Sequence, residues 1–152
     1  MKDDMKKAII VSGTPGTGKT TIAKKISKEK NWGYIDINDV IKKNKLKEGY
    51  DKKRKSITVD IKKLNKSLVS LIKNSKKTLV IDGHLSHYLP KEYVKTCFIT
   101  KCDLKTLKKR LEKRKYSKAK IRENLDAEIF DVCRIEALEK GHKVKIIDTT
   151  KN

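Results

Sequence analysis

The run Gly13-Thr14-Pro15-Gly16-Thr17-Gly18-Lys19-Thr20 fits the pattern G-x-x-x-x-G-K-[ST] without a mismatch. Glycines at this spacing let the backbone turn tightly, so that successive N–H groups point at phosphate oxygens while a following helix presents the positive end of its dipole. Lys19 is then placed to reach the β- and γ-phosphates of a nucleoside triphosphate, and the Thr20 hydroxyl to sit on Mg²⁺. Gly13, Gly16, Thr17, Gly18, Lys19 and Thr20 are therefore candidate nucleotide-binding residues, with ATP and Mg²⁺ as the implied ligand pair. The alternative, a glycine turn that binds nothing, does not require the strand before it and the helix after it that this stretch has.

Four further positions suit phosphate chemistry. Asp82 ends an apolar run, and in open parallel sheets ligands bind beyond the carboxyl ends of strands, so its carboxylate is a candidate to hold Mg²⁺ through water; capping a turn is the alternative. His84 follows it, where a neutral imidazole either orients or deprotonates an attacking group or is simply a polar loop residue. Arg110 and Arg114 lie four apart near a helix end in a chain that otherwise uses lysine. Guanidinium forks there can stabilise the charge of a transferring phosphoryl group, or be helix-surface cations.

Short apolar runs at 8–12, 34–37, 78–82, 94–100 and 144–147 predict five strands. Between them, amphipathic spacing predicts a helix over 20–30, one capped by Asp39 and starting at Val40, and one from Asp60 carrying Ile61, Leu64, Leu68, Leu71 and Ile72. Asp103 is expected to cap a helix with Leu104, Leu107 and Leu111. A last helix is expected over about 117–140, with Ile121, Leu125, Ile129, Val132, Ile135 and Leu138 inward and Gly141 at its end. Residues 42–56 read as exposed and mobile. Strands alternating with helices imply an α/β domain, a five-stranded parallel sheet with helices on both faces in three layers.

The 152 residues suit one domain. Lys and Arg total 40 against 19 Asp and Glu, a net charge of +21 that attracts polyanions or serves as a solvated surface. No stretch approaches the roughly 20 apolar residues of a membrane span, and no signal-peptide core follows Met1, so a cytoplasmic location without membrane association is expected. Cys97, Cys102 and Cys133 lack Cys-x-x-Cys spacing and read as reduced thiols. His87, His142, Trp32 and Tyr34 receive no function, the two aromatics being expected to cover a sheet edge. With only 5% aromatics, a dedicated single-strand reader of nucleic acid is disfavoured.

The phosphate loop GTPGTGKTT, the strand ending Asp82-Gly83-His84 with Pro90 beyond it, and the later RLEKRKY and ENLDAEIFDV segments resemble the isoenzyme-six adenylate kinase family over about 8–150. The resemblance implies a P-loop NTPase fold of the nucleoside-monophosphate kinase type. It implies transfer of the ATP γ-phosphate to AMP or a related monophosphate, ATPase activity, and a role in small ribosomal subunit maturation and rRNA processing through a ribosomal protein partner and possible ribosomal RNA contact. Carried over by residue, Gly16, Gly18, Lys19, Thr20 and Thr21 bind ATP, and Arg114 is the lid arginine. Asp82 and His84 form the strand-end pair. The acceptor segment is about 38–60, with Asp39 and Lys42 as acceptor-binding residues, and the short lid about 113–123. Lys42 stands where an arginine is expected, replacing a bidentate fork with a point charge. Leu85 and Ser86 stand where the longer adenylate kinases carry proline and arginine. Two other readings stay open: a nucleotide-switched ribosome assembly factor with secondary kinase activity, and a cytidylate kinase-like enzyme.

Overall fold

The structure is a computed structural model that describes residues 6–52 and 56–151. Five strands, β1 (Ala8–Ser12), β2 (Gly33–Asp36), β5 (Leu79–Asp82), β6 (Val94–Lys101) and β7 (Val144–Asp148), form a parallel sheet in the order β2-β5-β1-β6-β7. β1 lies at its centre, with Val11 opposite Asp82 on β5 and Phe98 on β6. The carboxyl ends of β1 and β5 therefore open side by side, which brings Ser12 and Asp82 to one edge.

Alternation along β1 divides the core between two faces. Ile9 and Val11 pack with Val80 and with Ile22 and Ala23 of α1 (Lys19–Lys30). Ala8 and Ile10 face the other way, onto Leu64, Leu68 and Ile72 of α3 (Ile61–Asn74) and Ala137 of α6 (Val132–Glu139). Leu64 and Leu68 are fully buried; a side chain of this size contributes about 1.5–3 kcal/mol on leaving water. Leu107 and Leu111 of α4 (Leu104–Lys113) make a smaller cluster with Cys102, to which Ile121 and Leu125 of α5 (Lys118–Ile129) add. The expected α/β architecture, sheet and two-sided helical cover are all present.

Four local expectations are corrected. α2 (Ile37–Lys43) begins earlier than expected, because Asp36 rather than Asp39 is its cap: its carboxylate accepts from the Asn38 amide at 2.8 Å. Within 42–56, β3 (Lys47–Asp51) and β4 (Ser56–Val59) pair as an antiparallel hairpin. The β-branched Thr58 and Val59 favour extension, and the lysines around them obscure the strand pattern. Residues 53–55 of that stretch lie outside the described residues.

The single helix expected over 117–140 is two helices, α5 and α6, broken at Asp131, whose φ is +57°. That conformation costs about 1–2 kcal/mol in a non-glycine residue. Its carboxylate is paired with Lys101 at 2.8 Å and with Arg134, which offsets the cost. Because the break reorients the second half, Val132, Ile135 and Leu138 are exposed rather than inward; Ile129 at the end of α5, Leu71 and Leu104 are exposed as well. Asp60 and Asp103 cap α3 and α4 as expected, through the amides of Lys63 and Thr106, and Gly141 follows α6 at φ +84°. Among the described residues no helix is long and apolar enough to cross a membrane.

Candidate functional site

The glycine-rich turn joins β1 to α1 at the carboxyl edge of the sheet. Gly18 precedes α1 at φ +88°, and no side chain caps the helix, so its first amides face the cleft without an internal partner from a cap. A Cβ at Gly13 would lie 2.5 Å from Thr100 Oγ1; only glycine lets β1 turn this close to β6. Thr17 is buried beneath the turn, where its hydroxyl donates to Thr14 O at 2.6 Å and meets Thr100 Oγ1 at 2.8 Å. Gly13 and Thr17 thus shape the loop from below, whereas Gly16, Gly18, Lys19, Thr20 and Thr21 line a cleft of about 720 Å³.

Lys19 folds back across the loop and donates to Gly13 O at 3.1 Å and Thr14 O at 3.3 Å. Burial at the cleft floor pushes its pKa down to about 8, so at neutral pH it remains an ammonium but a strained one, favoured by any added negative charge. Thr20 Oγ1 donates to Asp82 Oδ2 at 2.8 Å. These are hard oxygen donors, and Asp82 is buried. No cluster of three or more His, Cys, Asp or Glu among the described residues is arranged for a metal. That combination fits Mg²⁺, which takes one or two protein oxygens and completes its shell with water and substrate phosphates.

His84 and Arg114 line the same cleft, both exposed to solvent. Protein around the His84 ring displaces enough water to push its pKa well down, and the Lys19 ammonium adds to this. Arg110 is placed elsewhere: it donates to Gly16 O at 3.3 Å, Thr149 Oγ1 at 3.1 Å and Thr149 O at 2.6 Å, tying α4 to the back of the phosphate loop and the end of β7. Of the acceptor residues, Lys42 borders a hollow of about 410 Å³ with Ile41, Lys47, Val59 and Ile61; His84 and Leu85 line this hollow and the main cleft alike. Asp39 lies apart, in a hollow of about 570 Å³ with Tyr34, Lys43 and Lys66.

The family described as an AAA domain matches residues 9–131. The chain is 42% identical over 142 residues to a protein of Methanocaldococcus jannaschii named "Putative adenylate kinase", covering 93% of this chain and 76% of the relative. A relative of the same name from Pyrococcus furiosus is 37% identical over 143 residues, covering 93% and 74%. The chain belongs to this family of small P-loop kinases. Its fold is shared with a shikimate kinase from Acinetobacter baumannii, with a TM-score of 0.65 at 13% identity over 98% of this chain and 86% of the other, and with one from Bacteroides thetaiotaomicron, with a TM-score of 0.56 at 18% identity over 93% and 86%.

Several contacts in the kinase site are not legible from spacing. Tyr34 does not merely cover the sheet edge: its hydroxyl donates to Asp82 Oδ2 at 2.6 Å, and burial together with that carboxylate raises the phenol's pKa. Glu128, buried on α5, accepts from Thr14 Oγ1 at 3.0 Å and from the Cys102 amide at 3.1 Å, so it braces both the phosphate loop and the end of β6. His87, without assigned function in the sequence, is buried between Ser12 and Glu136. His142 Nε2 donates to His87 O at 2.8 Å. The three cysteines are free; Cys133 lines the cleft, but burial pushes its thiol up to about 11, leaving it protonated. Tyr34 stands in a four-residue strand beside Asp36, and Glu128 stands among the many charged residues of α5, so the local pattern marks neither contact.

Proposed function

We propose that the kinase transfers the γ-phosphate of ATP to a nucleoside monophosphate, with AMP as the principal acceptor, and hydrolyses ATP when the acceptor is absent. The observation that carries this reading is the adjacency of two cavities. The cleft with the Thr20–Asp82 pair meets the hollow of Lys42 and Lys47 across His84 and Leu85. Donor and acceptor phosphates placed in them face one another across a short gap, and phosphoryl transfer draws its rate chiefly from such positioning and from charge neutralisation. The names of the relatives support AMP as acceptor.

In this reading the amides of the turn and Lys19 hold the triphosphate tail, and Lys19 shifts from the carbonyls of Gly13 and Thr14 to the β- and γ-phosphates. Thr20 and Asp82 would hold Mg²⁺, which would neutralise part of the charge of the triphosphate tail. Arg114, at the end of α4, swings over the transferring group to stabilise its equatorial oxygens and exclude water. Lys42 and Lys47 bind the acceptor phosphate as point charges. Neutral His84 orients the attacking water during hydrolysis. The lid is 113–123 and the acceptor segment 38–60, within a single domain, 1–152.

The net charge of +21 favours a second activity for the same protein: nucleotide-dependent binding to a small-subunit ribosomal protein or to ribosomal RNA in the cytoplasm, contributing to subunit maturation. A coupled assay with ATP and each of AMP, CMP, UMP and GMP tests the enzyme reading. ADP formation above a Lys19→Ala control, highest with AMP, is expected; none with any acceptor overturns it. Pull-down of small-subunit components with and without ATP tests the second, which equal binding in both states overturns.

A further inference from the structure

β1 ends on Ser12, and the turn that holds the triphosphate begins at the next residue. Ser12 is fully buried, and its Oγ lies 2.8 Å from Nδ1 of His87. His87, 1% exposed, sits in the short 3-10 turn Ser86–Tyr88 beyond β5, and its Nε2 lies 3.0 Å from Glu136 Oε1 on α6. The other Glu136 oxygen accepts from Tyr88 OH at 2.9 Å. Serine, imidazole and carboxylate thus stand in line, but with the serine oxygen sealed from solvent they cannot attack a substrate.

Hydrogen-bonding roles follow from the carboxylate. It only accepts, so Nε2 must carry the proton; in a neutral ring Nδ1 then accepts, and the Ser12 hydroxyl has to donate to it. Burial favours that neutral ring. The turn carrying His87 is pinned on three sides: Ser86 Oγ donates to Gly83 O at 2.8 Å, Asn65 Nδ2 to Tyr88 O at 2.9 Å, and His142 Nε2 lies 2.8 Å from His87 O. The imidazole therefore cannot follow Ser12 if β1 shifts; it holds it. One helical turn before Glu136, Cys133 faces Gly13 and Lys19, so α6 meets the start of the phosphate loop along two routes.

We infer that His87 is a positioning residue of the ATP site: oriented by Glu136, it fixes Ser12 and with it the height at which the phosphate loop leaves the sheet. This inference rests on the reading of the cleft as an ATP site. Its consequence is that ATP affinity depends on the Ser12 contact in particular, and not on His87 merely filling space.

Two replacements separate these roles. An asparagine amide occupies roughly the place of Nδ1, and a glutamine amide that of Nε2. His87→Asn can keep the link to Ser12 while losing Glu136; His87→Gln keeps Glu136 while losing Ser12. Affinity for ATP with Mg²⁺, measured by calorimetry alongside thermal unfolding, is expected to fall about tenfold in His87→Gln and in Ser12→Ala, the worth of one buried hydrogen bond. His87→Asn is expected to stay within about twofold of the parent, although both histidine variants melt earlier. Equal affinity losses in the two histidine variants, or none in either, overturn the inference. Should both fail to fold, Ser12→Ala decides alone: parental affinity overturns it, and a tenfold loss sustains it. An unaltered protein that takes up no ATP sinks the proposed function itself and is told apart by that control.

Discussion

Oδ2 of Asp82 accepts from two hydroxyls at once, Tyr34 OH at 2.6 Å and Thr20 Oγ1 at 2.8 Å. β2 and β5 are neighbours in register, with Asp36 opposite Asp82, so the tyrosine two residues back on β2 can reach across only because the sheet places the two strands side by side. The carboxylate is thereby aimed from one side by α1 and from the other by an edge strand.

Removing the second donor tests how much that aim matters. Tyr34→Phe keeps the ring against the sheet and leaves Thr20 as the remaining hydroxyl on Oδ2. The Mg²⁺ concentration for half-maximal ATP binding is expected to rise about tenfold, the lower end for loss of a group that orients a metal ligand. Titration of ATP binding against Mg²⁺ reads this, and an unchanged midpoint would show that Thr20 alone suffices.

Lys19 carries a pH signature. Its folded pKa of about 8 lies below the ordinary 10.5. Below pH 8 the side chain is protonated both folded and unfolded; between about 8 and 10.5 the unfolded chain holds more protons, so stability contributed by this group rises with pH across that window. The difference in unfolding free energy between the parent and Lys19→Met, followed by denaturant titration from pH 7 to 10, should therefore shift in favour of the parent as pH rises. A difference independent of pH contradicts the strained ammonium.

His84 distinguishes transfer from hydrolysis. An acceptor phosphate supplies its own nucleophile, whereas water must be held in place, so His84→Ala is expected to reduce ATPase turnover about 100-fold while reducing AMP phosphorylation far less. Parallel measurement of both rates on one preparation decides it, and equal losses reject a water-orienting role.

Glu128 is expected to matter to both stability and nucleotide binding. Its two oxygens satisfy Thr14 and the Cys102 amide from a buried position, and Glu128→Ala leaves that amide without its carboxylate partner. A loss of about 1–3 kcal/mol in denaturant unfolding follows. ATP affinity should fall as well, because Thr14 belongs to the phosphate loop. Leu68→Ala is the contrasting core change, costing about 2–5 kcal/mol in stability with ATP affinity retained in the folded fraction.

The phosphate loop, the five strands and the alternation that makes the sheet parallel are all legible along the chain, because each rests on local physics. Gly16, Gly18, Lys19 and Thr20 need only a strand before them and a helix after, and Leu64, Leu68 and Ile72 mark their helix by spacing alone. The same local logic goes wrong where tertiary contacts compensate a local cost. The apolar period runs on through Ile129, Val132 and Ile135, yet Asp131 interrupts the helix, since ion pairs with Lys101 and Arg134 stabilise a backbone conformation that its own propensity opposes. Likewise α2 starts at Ile37 because the chain's exit from β2 presents Asp36, not Asp39, to the first free amides.

Which residues could bind phosphate was therefore written in the order of the amino acids, through backbone conformations that a glycine or a lysine brings with it wherever it folds. How that phosphate site is held was decided by the sheet. Tyr34 meets Asp82 across 48 positions, Ser12 meets His87 across 75 and Thr14 meets Glu128 across 114. Hydrogen bonds of about 3 Å between groups so distant in sequence exist only once parallel strand order has brought their ends to one edge, and no periodicity of side chains encodes that order.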